Sequence, residues 1–147
     1  MTRILTIIAL LFATPAWAKT IVRCGEISGK AYYFPSGSLK GEWVNDKASG
    51  SSFTLVQNGN GEEDFDILFG DAGGVNSVKS QGGQLFLRRY EPPAVTFFAE
   101  YNDLYEIWSF NLGENEMILS QHRFGGLVPK VALYKAKCFE LIGCPKA

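Results

Sequence analysis

Residues 95–124 read VTFFAEYNDLYEIWSFNLGENEMILSQHRF, and three alternating runs follow one another within this stretch. The runs cover residues 95–101, 105–112 and 116–123. In the middle run, Glu106, Trp108 and Phe110 share one face, as the two-residue period of a β-strand requires. The connecting segments are short and contain Asn, Asp and Gly, which are typical of tight turns. The stretch therefore predicts an antiparallel meander whose apolar face is covered by other strands.

Further strand patterns lie on both sides of the meander. The strongest turn signal is Asn58-Gly59, which suits a type I′ hairpin between two alternating runs. The remaining strand candidates are residues 20–24 or 31–34, 53–57, 63–69, 76–80, 84–90 and 131–138. Several strands carry bulky residues on both faces, which favours closure of the sheet. We therefore predict an all-β fold, an antiparallel meander of about eight short strands that forms a small barrel or sandwich.

The first eighteen residues have the three parts of a secretory signal peptide. Arg3 supplies the positive charge, residues 4–13 are apolar, and Ala16-Trp17-Ala18 has the small-x-small pattern of a cleavage site. The apolar run is too short to span a bilayer, which takes about 20 residues. We expect a single all-β domain at residues 19–147, periplasmic or secreted after cleavage following Ala18, with no membrane span.

The mature chain would keep three cysteines, Cys24, Cys138 and Cys144. An oxidising compartment favours one disulfide and leaves one thiol. We predict that Cys24 pairs with Cys138, which would tie the first strand to the last. Pairing of Cys138 with Cys144 is the alternative.

The charge of the chain does not favour nucleic acid as a partner. Removal of Arg3 with the leader leaves 13 Lys and Arg against 15 Asp and Glu, a net charge of −2. Most of the basic residues are scattered along the sequence rather than grouped in a stripe.

Oxygen ligands are densest around the predicted hairpin turn. The cluster consists of Asn58, Asn60, Glu62, Glu63, Asp64, Asp66 and Asp71. Its spacing does not match a calcium-binding EF-hand loop, because Glu63 stands where the loop glycine is required. We interpret the cluster as a solvated hairpin tip, and we predict no metal and no cofactor.

The sequence offers weak candidates for catalysis. His122 is the single histidine, and Ser120 lies two residues before it on the same predicted strand face. Because neighbours two apart on a strand are about 6 to 7 Å apart, we expect no direct bond between them. Glu106 could pair with Glu100 or Glu116 across the meander for glycoside hydrolysis, at a separation that the sequence does not fix.

Aromatic residues suggest a binding surface. Trp43, Tyr101, Tyr105 and Trp108 are predicted to line a site for a sugar or an apolar ligand, although core packing explains such residues equally well. We predict a monomeric periplasmic or secreted binding module for a small ligand or an envelope protein. The alternatives are an inhibitor of an envelope or host enzyme and a hydrolase that acts on cell-wall polysaccharide or peptide.

Overall fold

A computed structural model describes residues 18–36, 40–59, 64–126 and 128–141. The predicted leader, apart from Ala18, lies outside the described residues, as do Cys144 and the acidic residues at 62 and 63. Within the described part of the chain, no helix is long and apolar enough to cross a membrane.

Eleven strands form among the described residues, and every pair is antiparallel. They are β1 (Lys19–Cys24), β2 (Ile27–Tyr33), β3 (Glu42–Ala48), β4 (Ser52–Gln57), β5 (Phe65–Asp71), β6 (Gly74–Ser77), β7 (Gln84–Glu91), β8 (Ala94–Glu100), β9 (Leu104–Asn111), β10 (Glu116–Arg123) and β11 (Lys130–Leu141). The prediction of an all-β antiparallel fold is confirmed. The strands form one sheet that curls into a half-barrel.

The long strand β11 joins the two wings of the sheet, one formed by β1 with β4–β6 and the other by β2 and β3 with β7–β10. Its residues 130–135 pair with β2, and its residues 138–141 pair with β1. Strand β10 runs along the other edge of β11 and leads through β9 and β8 to β7. On the far side, β1 leads through β4 and β5 to β6, while β2 pairs with β3. Residues 25–26 separate β1 from β2, and residues 49–51 separate β3 from β4. These interruptions let the wings bend towards each other.

The core lies on the concave face of the half-barrel. Ring contacts between the wings join Phe53 to Trp108 at 5.5 Å and Phe65 to Phe97 at 5.3 Å. Trp108 and Phe110 are buried, as is Glu106, whereas Tyr105 and Ile107 of the same strand are partly exposed on the other face. The two-residue period read from the sequence therefore assigns the faces of β9 correctly.

Cys24 and Cys138 form a disulfide bond across the register pair that joins β1 to β11. Both residues are buried in the core cluster. The predicted pairing is confirmed. Because such bonds persist in oxidising environments, this one indicates a location outside the cytoplasm.

Candidate ligand-binding cavity

A cavity of about 590 Å³ lies between the two wings at one end of the half-barrel. Its apolar lining comes from both wings and includes Ile27, Phe53, Phe69, Trp108 and Leu119. The turns after β6, β8 and β10 contribute Gln81, Gly82, Asn102, Asp103, Gly125 and Gly126. The cavity lining therefore mixes apolar and polar side chains, and turns form part of its edge.

Glu106 places a carboxyl group on the cavity wall, and only 5% of this residue is exposed. Its Oε2 accepts a hydrogen bond of 3.0 Å from Trp108 Nε1, and its Oε1 accepts one of 2.9 Å from Gln121 Nε2. Gln121 is in register with Glu106 on the neighbouring strand β10. A buried carboxyl group with two fixed donors is held in one orientation.

Burial raises the pKa of Glu106, although hydrogen bonds from Gln121 and Trp108 and the charge of Arg123 oppose that shift. Tyr101 also lines the cavity and contacts the same carboxyl group. Burial and the nearby charge of Glu106 raise the pKa of Tyr101, so its hydroxyl keeps its proton near neutral pH. The wall can therefore exchange hydrogen bonds with a ligand through Tyr101, Gln121 and Glu106.

Arg123 carries a positive charge on the same wall. It lies two residues beyond Gln121, which is the next inward position of β10. No acidic side chain of the described residues forms an ion pair with Arg123. Its charge lowers the pKa of Glu106 and lies where it can also act on a ligand in the cavity.

A second polar cluster lies beside Arg123 on the concave face. It includes Lys130 of β11, which is the register partner of Arg123. Asp46 Oδ2 accepts hydrogen bonds from the hydroxyl of Tyr134 at 2.6 Å, from Lys130 Nζ at 3.0 Å and from the hydroxyl of Tyr33 at 3.0 Å. Burial raises the pKa of Asp46, but these donors and the Lys130 charge outweigh that effect and lower it to about 2. The Asp46 carboxylate is therefore ionised, and its Oδ2 atom is held by three donors within the protein.

The structure separates the four aromatic residues predicted to bind a ligand. Tyr101 and Trp108 line the cavity. Trp43 is 63% exposed on β3, and Tyr105 points to the opposite face of β9 from Glu106. The prediction of a site at all four residues stays untested, but a single cavity does not contain them.

Sequence reasoning missed Gln121 and Arg123 as residues of the cavity. The signal was present, because Met117 and Leu119 mark the inward face of β10, and the same alternation continues through residues 121 and 123. It was overlooked because both side chains are polar.

The expectation that Ser120 and His122 do not bond is wrong. Ser120 Oγ lies 3.2 Å from His122 Nε2, because long side chains on one strand face lean along the strand and close the gap between their Cα atoms. Within the described chain, His122 has no hydrogen bond to a carboxylate that would complete a catalytic triad.

The carboxylate pairs considered for glycoside hydrolysis do not face each other. Glu106 points into the cavity, whereas Glu100 and Glu116 lie at outward positions of β8 and β10. Glu116 instead forms ion pairs with Lys135 and Lys137.

The acidic residues near the β4–β5 turn that the structure describes have separate partners. Asp64 pairs with Lys79, Asp66 accepts from the backbone amides of Ile67 and Lys79, and Asp71 accepts from the amide of Gly73. In the described ranges, no group of three His, Cys, Asp or Glu side chains is arranged to hold a metal ion.

Comparison with known proteins gives no indication of function. No family model, curated protein or solved structure matches this chain. The size, lining and charge of the cavity therefore decide which ligands are plausible.

Glu106→Gln is expected to change how stability depends on pH. Because the pKa of Glu106 is raised above its ordinary value of 4.5, the folded chain binds this proton more tightly than the unfolded chain does. The free energy of unfolding therefore falls as pH rises from 4.5 through the raised value. The glutamine variant lacks this decline, so it gains stability relative to the parent over that range, as urea unfolding at successive pH values will measure.

Glu116→Gln is the matched control for this prediction. Hydrogen bonding from Lys135 lowers the pKa of Glu116, so this group contributes stability above pH 4.5 that is lost on acidification. Its replacement should alter only the acidic side of the profile. A parallel profile for Glu106→Gln and the parent above pH 4.5 would contradict the shift assigned to Glu106.

Proposed function

We propose that this protein is a binding module that holds a small molecule with both apolar and polar groups in the cavity between the two wings. The observation that carries the proposal is the buried, hydrogen-bonded carboxyl group of Glu106 on the wall of a cavity that also contains aromatic side chains. Ligand pockets of proteins measure about 300 to 1,000 Å³ and combine apolar lining with a few fixed polar groups. The cavity, at about 590 Å³, has both properties.

The lining favours a ligand with two unlike ends. Phe69 and Tyr101 offer partly exposed aromatic surface for an apolar body, whereas Phe53 and Trp108 are buried. Gln121 and Arg123 lie nearer the mouth of the cavity, because β10 runs from Leu119 inside towards the rim turn at residues 125–126. A polar or anionic group on the ligand would bind there, with the apolar body directed inwards.

The contacts of Glu106 favour binding over hydrolysis. Both of its oxygens already accept hydrogen bonds from the protein. The cavity lining contains one other carboxyl group, that of Asp103, which lies on the turn after β8 and outside the strands that carry Glu106 and its two donors. Glycoside hydrolysis requires two facing carboxyl groups. The proposed place of action is periplasmic or secreted, which agrees with the disulfide and with the leader pattern of the first eighteen residues.

The proposal is tested with N-phenyl-1-naphthylamine, an apolar dye that becomes fluorescent in dry sites. We expect saturable binding to the parent protein. Leu104 lines the cavity at the first position of β9, so Leu104→Trp adds bulk to the mouth. This variant should bind the dye about tenfold more weakly or worse, a loss of about 1.4 kcal/mol.

Trp43→Ala is the control, because Trp43 is an exposed aromatic residue outside the cavity. Its removal should leave saturable dye binding unchanged. Absence of saturable binding to the parent, or equal affinity of the parent and a folded Leu104→Trp variant, would refute the proposal.

A further inference from the structure

The convex face of the half-barrel carries an exposed apolar surface that the cavity does not use. This outer face is formed by the outward side chains of β2, β3 and β7–β11. Cross-strand register places Tyr105, His122, Val131, Tyr32 and Trp43 in one row across five strands. The adjacent row contains Phe98, Ile107, Ser120 and Leu133. Leu133 is 57% exposed and Trp43 is 63% exposed.

Aromatic side chains on the outer face are packed against one another rather than scattered. The ring of Phe98 stacks on Tyr105 at 5.9 Å with an angle of 16°, and Tyr105 contacts Phe124 at 6.4 Å. Arg88 lies over the rings of Phe86 and Phe98 at 5.3 and 5.8 Å. These mutual contacts join the rings into one cluster on the outer face, and Tyr32 contacts Trp43 at 5.5 Å in a second cluster.

The charge of the outer face is opposite to that of the whole chain. Its basic residues are Lys30, Lys47, Arg88, Lys135 and Lys137. Its acidic residues are Glu100 and Glu116, and Glu26 of the adjoining turn forms an ion pair with Lys47. Arg89 and Glu91 form an ion pair with each other. The chain as a whole has a net charge of −1. Although Lys47, Lys135 and Lys137 have acidic partners, basic residues outnumber acidic ones on the side of the molecule that also exposes its aromatic residues.

We propose that the outer face binds the surface of a bilayer that contains anionic lipid. Exposed Trp and Tyr side chains with flanking Lys and Arg are the combination that binds the headgroup region of membranes. Anionic lipid complements the positive charge of this face. A second copy of the chain would bring two faces of the same charge together, which disfavours self-association through this patch.

The test is sedimentation of the protein with vesicles of phosphatidylglycerol and phosphatidylcholine in equal parts, against vesicles of phosphatidylcholine alone. Intact mass verifies that every variant has the same N-terminus. We expect binding to the anionic vesicles that weakens with added salt. Leu133→Ser and the pair Lys30→Gln with Lys135→Gln should each weaken it, the pair by about tenfold or more. The fluorescence of Trp43 is obtained by subtracting the spectrum of the Trp43→Phe variant from that of the parent. Its emission should shift to shorter wavelength on binding.

Val75→Ser is the matched control, because Val75 is 73% exposed but lies on β6 in the other wing. It should bind vesicles like the parent. Failure to bind anionic vesicles, or an equal loss in Val75→Ser and Leu133→Ser, would overturn the proposal. A dimer in sedimentation velocity that Leu133→Ser dissociates, without vesicle binding by the parent, would assign the face to a second copy instead.

Discussion

Replacement of Gly29 by alanine is expected to destabilise the fold by about 3 kcal/mol or more. A Cβ atom on Gly29 would lie 1.9 Å from the carbonyl oxygen of Leu133 and 2.8 Å from Cα of Tyr134. Both are backbone atoms of β11, so no side-chain rotation relieves the overlap. The two strands would have to separate where β2 joins the rest of the sheet.

The same substitution should also disturb the cluster around Asp46. Gly29 is the register partner of Tyr134 on one side and of Asp46 on the other. The hydroxyl of Tyr134 reaches Asp46 Oδ2 at 2.6 Å, across the position of the glycine. Loss of this bond would leave a buried phenol without its acceptor, which adds to the cost of strand separation.

Urea unfolding measures this effect, and Gly25→Ala provides the control. A Cβ atom on Gly25 would have its nearest neighbour at 3.5 Å, in the side chain of Phe139, which is an ordinary contact. The control should therefore change stability by no more than about 0.5 kcal/mol. Equal midpoints for the two variants would contradict the close approach of β2 and β11.

Removal of the disulfide is expected to have the largest effect on stability. Cys24 and Cys138 are separated by 114 positions, so the bond closes a loop that includes most of the chain. In the chain-entropy account, such a loop contributes about 4 to 5 kcal/mol by restricting the unfolded state. The double variant Cys24→Ala with Cys138→Ala should lose this amount in urea unfolding, since alanine avoids a new polar group at two buried positions.

Cys144→Ala is the control for the disulfide. It should retain the parent's stability, because the described bond does not include Cys144. The unfolded, unreduced parent should present one reactive thiol, and Cys144→Ala should present none. Equal losses of stability in Cys144→Ala and in the double variant would contradict the assigned pairing.

The sequence predicts strand pairing well where strands that are adjacent in the sheet are also consecutive in the chain. The meander of β8, β9 and β10 was predicted from alternation and turn residues, and so was the inward face with Trp108. Strand β3 escaped prediction because its residues are mostly polar and exposed, so apolar alternation is absent. Strands β1 and β2 were read as alternatives, whereas both form, one after the other, beside β11.

The two surfaces proposed for binding were harder to predict, for a physical reason. Trp43 and Tyr105 share a row only because β2 pairs with β11. That pairing joins residues about 100 positions apart, and no local pattern in the sequence specifies its register. The cavity likewise depends on the bend of the two wings, which brings Phe53 against Trp108.

The position of β11 in the sheet determines when the fold can form during synthesis. Strand β11 pairs with β1 and β2 along one edge and with β10 along the other. Without β11, the strands β1–β6 are therefore not hydrogen-bonded to β7–β10. A nascent chain that has not yet released residues 130–141 can therefore assemble hairpins but cannot join them. Such long-range pairing is slow compared with the formation of local contacts. We expect strands β1–β6 and β7–β10 to stay unpaired with each other until residues 130–141 are available to join them.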